Sequence, residues 1–146
     1  MRKRSTPILS HPSLPHSYHI GQNLNEFHIP FNGAGWDKQT GAAAVSVILF
    51  VTNPRYLEVD LGPAPGRAIS ELAVKRIRAK VGLEFLERES ITPLTEGWRV
   101  RFKGPRQHRY QQGLQPVFLA LVSPDHLADE TSPFILKRVA WREEQP

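Results

Sequence analysis

Apolar residues recur along this chain with two different periods, and the change from one to the other lays out most of its elements. Ala42 to Val51, AAAVSVILFV, is a continuous β-branched and apolar run, which predicts a buried strand. Thr52-Asn53-Pro54 is a turn signal, and Arg55 to Leu61 then alternates, with Tyr56, Glu58 and Asp60 against Leu57, Val59 and Leu61. That pattern predicts a half-buried strand paired with the first as a hairpin. Gly62 to Gly66, GPAPG, excludes helix. Beyond it Ala73, Val74, Ile77 and Val81 recur at helical spacing. Ser70 suits the N-cap, Glu71 complements the positive end of the dipole, and Gly82 suits the position just past the end, so a helix of about twelve residues is expected.

Leu83 to Ile91 alternates and predicts a strand. Thr95-Glu96-Gly97 is a turn, after which Trp98, Val100 and Phe102 point one way and Arg99, Arg101 and Lys103 the other. Residues 104–113, GPRQHRYQQG, read as a polar basic loop. Gln115 to Ser123 predicts another buried strand, Ser123-Pro124-Asp125 the start of a short second helix, and Phe134 to Trp141 a last strand. The order predicts an α+β domain with a mixed or antiparallel sheet over residues 41–146. Residues 1–40 keep neither period and read as an irregular arm rich in Pro, His and Ser, which Ile20, Leu24, Phe27, Ile29 and Phe31 would pin to the core.

Composition narrows the class. The chain of 146 residues suits one domain, and its 40% hydrophobic content is enough for a core. It has no cysteine, which excludes disulfides and thiolate metal sites. The basic start MRKR leads into no apolar run, and the longest apolar run is too short for a bilayer, so a cytoplasmic protein without a membrane partner is expected. The net charge of +5 favours nucleic acid, a phosphorylated ligand or an acidic partner, although it also serves solubility. The cations are clustered: Lys75, Arg76, Arg78 and Lys80 in one run, and Arg99, Arg101, Lys103, Arg106 and Arg109 in a second.

The segment from Pro65 resembles the signature of the Nudix family of nucleotide pyrophosphohydrolases. Pro65-Gly66-Arg67 stands where that family has Pro-Gly-Glu, and Lys75-Arg76-Ile77-Arg78-Ala79-Lys80-Val81-Gly82-Leu83 follows its closing Arg-Glu-apolar-x-Glu-Glu-x-Gly-apolar. AAAVSVILF, FLALVSPD and the strand ending at Trp141 are similar to other elements of the family, so the resemblance covers roughly residues 42–142. It implies a Nudix-like sheet around one main helix. It also implies loss of the family's chemistry, because its glutamates hold Mg²⁺ or Mn²⁺ and here Arg67, Arg76, Ala79 and Lys80 replace them. No metal or other cofactor is expected.

If the family's helix is present, Arg76 and Lys80 share one flank of it and, with Arg67, form a charge-inverted pocket that grips phosphate; the alternative is a solvated helix face. Arg99, Arg101, Lys103, Arg106, Arg109 and Tyr110 combine cations with an aromatic, as nucleic-acid backbone contact and base stacking require; the alternative is a solvent face that discourages edge pairing. His11, His16, His19 and His28 fit no compact zinc spacing. No nucleophile–base arrangement can be assembled, with Ser46 in mid-strand and Ser123 at a cap, and GPAPG lacks the residues of a phosphate loop. The sequence therefore predicts a noncatalytic Nudix-like module that binds RNA, DNA or a phosphorylated ligand and docks on a larger assembly through residues 1–40. Two alternatives stand beside it: a divergent phosphohydrolase with metal ligands moved to Glu58, Asp60 and Glu71, and a protein-only, phage-type assembly component.

Overall fold

The computed structural model describes residues 17–20, 23–24, 29–34, 41–51, 55–106, 115–127 and 133–142. Strands dominate them: β1 (Ser17–Ile20), β2 (Asn23–Leu24), β3 (Ile29–Pro30), β4 (Gly33–Ala34), β5 (Ala42–Val51), β6 (Tyr56–Pro63), β7 (Arg78–Val81), β8 (Glu84–Phe85), β9 (Arg88–Leu94), β10 (Gly97–Lys103), β11 (Gln115–Leu127) and β12 (Phe134–Arg142). The one helix among the described residues is α1 (Glu71–Lys75), so the domain is α+β only in the weakest sense and is mainly antiparallel β.

The strands form two six-stranded sheets. The first runs β1-β5-β11-β7-β8 with β4 also on β5, and the second β2-β12-β6-β10-β9 with β3 also on β12. β1 pairs with β5 in parallel, and the other described pairings are antiparallel. Alternation decides which side chains face the interior. Leu57, Val59 and Leu61 of β6 and Val100 and Phe102 of β10 meet Val45, Val47, Val117, Leu119 and Leu121 of the first sheet in one core. Each such burial is worth about 1.5–3 kcal/mol, which offsets the cost of ordering the chain. β5 is buried on its other face too, where Ala42 and Ala44 pack with Val122. Within residues 1–40, β1 to β4 are hydrogen bonded into the two sheets, and Ile29 and Phe31 are buried in the core; Ile20 and Leu24 lie in β1 and β2, and Phe27 falls outside the described residues.

Four sequence expectations are corrected. β5 and β6 form no hairpin with each other: β5 belongs to the first sheet and β6 to the second. The expected twelve-residue helix ends after five residues at Lys75, and Arg78–Val81 is a strand instead. The competing signal was present, because Ile77, Ala79 and Val81 also alternate with Arg78 and Lys80, and all three apolar residues are buried in the core. Gly82 has φ +59°, but it serves a two-residue turn between Val81 and Glu84 rather than a helix end. No second helix opens at Ser123-Pro124-Asp125: residues 124–126 lie in β11, where the register against β5 shifts between Ser123 and Leu127. A bulge tolerates Pro124, which has no N–H to give the ladder. Finally, the segment Leu83 to Ile91 is split. β8 finishes in the first sheet and β9 starts in the second, with Leu86 buried at the crossing and its N–H bonded to the Ala79 carbonyl. No described helix is long and apolar enough to cross a membrane.

Candidate functional site

The crossing from β8 to β9, together with α1, opens a cleft of about 410 Å³. Four cations line it, Lys75, Arg76, Arg78 and Arg88, around a floor that includes Ile77, Ala79, Leu86 and Phe102, with Phe85 and Pro124 at its edges. Three elements position the cations: the end of α1 holds Lys75 and Arg76, β7 holds Arg78 and β9 holds Arg88. Ser70 caps α1 by accepting the Ala73 N–H at 3.1 Å, and Lys75 ends the helix beside Glu71, 3.0 Å away. Arg76 is the C-cap, with its N–H on the Ala73 and Val74 carbonyls, and its Nε donates to both oxygens of Asp125 at 2.8 and 3.0 Å. Asp125 comes from the β11 bulge. Arg88, the first residue of β9, donates to the Lys75 carbonyl, where a cation complements the helix C-terminus. Arg78 points outward from β7 and lies 4.1 Å from the centre of the Phe85 ring.

No carboxylate is among the described residues lining the cleft. Glu71 and Asp125, which pair with Lys75 and Arg76, make exposed pairs, and such pairs contribute about 0–1 kcal/mol each, so an incoming anion can displace them. The site is thus a concave cationic surface with an apolar floor and an aromatic edge.

Of the predicted phosphate ligands, Arg76 lines this cleft. Lys80 does not; it is half-buried on the outward side of β7, 5.6 Å from the Phe85 ring, and shares no helix flank with Arg76. Arg67 is exposed in the turn that its N–H closes on the Ala64 carbonyl, outside the cleft. Lys75 and Arg78 belong to the basic run visible in the sequence. Arg88 and Phe85 carry no such signal, because the β7–β8 turn and the crossing between sheets bring them to the cleft.

The second predicted set sits elsewhere and is largely engaged. The β6–β10 register places Asp60 opposite Arg99 and Glu58 opposite Arg101. Arg99 donates to both Asp60 oxygens at 2.7 and 3.0 Å, and this bond pushes its guanidinium further above its ordinary value. Arg101 lies between Glu89 at 3.0 Å and Glu58 at 3.6 Å, and over the Tyr56 ring at 4.5 Å. Lys103 reaches Glu87 at 3.7 Å, and Arg138 of β12 reaches Glu58 at 3.3 Å and Asp60 at 3.8 Å. Glu58 and Asp60 are buried on this face, and the surrounding arginines offset the cost of burying them. The alternation of acids along β6 was the signal that this strand face is neutralised. Arg106 is exposed and its backbone N–H binds the Glu84 carboxylate, while Arg109 and Tyr110 lie outside the described residues.

The relocated metal set is not brought together. Glu58 and Asp60 are held among arginines, Glu71 is on α1, and no three His, Cys, Asp or Glu residues cluster among the described residues. His11, His16 and His28 fall outside the described residues, and His19 is in β1. One nucleophile–base contact does exist: Ser123 Oγ lies 2.7 Å from His126 Nδ1. Ser123 is 1% exposed, so the contact pins the β11 bulge that presents Asp125 and offers no hydroxyl to a substrate. Comparison of the chain with protein-family models, with curated proteins and with solved structures finds no match.

Proposed function

We propose that this protein is a noncatalytic binding module that holds a phosphate-rich ligand in the basic cleft beside α1. The observation that carries the reading is the convergence of Lys75, Arg76, Arg78 and Arg88 on one concavity with no carboxylate among its described lining residues. Arginine supplies a planar fork of donors that matches phosphate oxygens, and the apolar floor lowers the local dielectric, which strengthens each contact. The donor set does not suit a divalent cation, which takes oxygen ligands, so binding is preferred here to metal-assisted hydrolysis. A Nudix ancestry would fit the Pro65-Gly66 turn and the replaced glutamates; the five-residue helix and the strand at Arg78–Val81 weigh against it. The binding reading does not depend on it.

The test is affinity for inorganic tripolyphosphate and heparin across a salt series. The Arg76→Glu/Arg78→Glu double variant should bind heparin at least about tenfold more weakly. Its salt slope should fall by about two, one for each cation that no longer neutralises an anionic group. Arg67→Glu, outside the cleft, is the control. Wild-type affinity in the double variant would overturn the proposal.

A further inference from the structure

The cleft has a feature that a simple anion site does not need. Phe85, on its edge, is 43% exposed, although it is a large aromatic in a two-residue strand. Register explains the exposure. Lys80 is the cross-strand partner of Phe85, and Val81 beside it points into the core, so the ring must stand on the outward face of the first sheet. There it meets two cations, Arg78 at 4.1 Å and Lys80 at 5.6 Å from its centre. The Arg78 guanidinium over the ring makes a stacked pair. An exposed ring next to a row of cations is the combination that single strands demand: bases stack on any aromatic face or guanidinium plane, while the backbone follows the positive charge. A duplex keeps its bases stacked on one another and offers only phosphate, and polyphosphate has no base at all.

We propose that the cleft takes a single-stranded nucleic acid, with one base stacked against the Phe85–Arg78 pair and the neighbouring phosphates on Lys75, Arg76 and Arg88. This rests on the phosphate-binding reading and names its ligand class. The geometry makes Phe85 the discriminating residue: it adds affinity for a base and none for an inorganic anion. It also relocates the stacking aromatic from Tyr110 to Phe85, and the basic partners from the β10 strand to the α1–β9 corner.

The experiment measures binding of the full chain to a labelled single-stranded oligonucleotide of about ten nucleotides, to a duplex of the same length, and to heparin. Phe85→Ala should weaken the single strand by about tenfold or more and heparin by no more than about twofold, because Arg78 loses the ring it stacks on but keeps its charge, and Phe85→Trp should restore the single strand. The partial exposure of Phe85 makes the variant compatible with folding, and heparin binding close to wild type reports that the cleft is intact. Equal affinity of Phe85→Ala and wild type for the single strand would overturn the inference while phosphate binding stands. So would a duplex bound as tightly as the single strand. Failure of the wild type to bind either nucleic acid or heparin would overturn the inference and the phosphate-binding reading together.

Discussion

At Gly97 the chain has φ +117°, and a Cβ built there would lie 2.0 Å from the Leu61 carbonyl oxygen and 3.0 Å from the Gly62 Cα. The residue starts β10 next to β6, and Trp98 is the partner of Leu61, so relief of the overlap must spread the β6–β10 ladder. Gly66 also has positive φ, +74°, but open space surrounds its position. The two glycines therefore separate conformational strain from collision. Gly66→Ala should cost about 1 kcal/mol, for the backbone alone. Gly97→Ala should cost about 4 kcal/mol, at the severe end for a point substitution. Urea unfolding at constant m measures both, and equal losses would contradict the assignment. Gly97 was legible as a turn residue from Thr95-Glu96-Gly97. Its contact with Leu61 was not, because a residue far away in sequence sets it.

The same distinction runs through the elements. Segments with a single clear period were readable: Ala42 to Val51 is β5, Trp98 to Lys103 lies in β10 with its apolar side inward, and Phe134 to Trp141 lies in β12. Residues 70–82 carried two periods at once. Ala73, Val74, Ile77 and Val81 fit a helix, and Ile77, Ala79 and Val81 fit a strand; pairing of β7 with β11 decided for the strand. Gly82 could not arbitrate, since a helix end and a primed hairpin turn both ask glycine for positive φ. Likewise, the arginines of β10 looked like a free basic stripe until β6 placed acids across from them. Glu58 tests that lattice, because it is 6% exposed and faces Arg101 and Arg138. Glu58→Ala would leave two largely buried guanidinium groups short of a counter-charge and should cost about 3 kcal/mol, whereas loss of an exposed helix pair costs under about 1 kcal/mol. Glu71→Ala supplies the comparison, since its pair with Lys75 is half-exposed on both sides. Thermal unfolding of the two variants side by side checks it; a Glu58→Ala loss no larger than that of Glu71→Ala would show that the lattice contributes nothing to stability.

For the whole molecule, the order in which strands meet matters more than their number. β7–β8 and β9–β10 are local hairpins, but both are peripheral pairs at the ends of their sheets. The central pairings join distant parts of the chain: β5 with β11, β6 with β12, and β7 with β11. Each must close a long loop before its hydrogen bonds and its share of the core form, and the entropy of that closure comes early on the folding path. A chain of this topology should therefore refold on a timescale of about milliseconds to seconds rather than microseconds. Trp98 and Trp141 give the readout, because they flank β6 from its two neighbours, opposite Leu61 and Leu57. Their fluorescence should reach its native value only when β6 is inserted between β10 and β12. Leu119→Ala, on the partner strand of both β5 and β7, should then slow refolding by removing packing that the central pairings need. Stopped-flow refolding from urea of the Trp36→Phe variant, in which only these two tryptophans report, measures both effects. Recovery of the full tryptophan signal in under about a millisecond would mean that the local hairpins, not the long-range pairs, organise the fold.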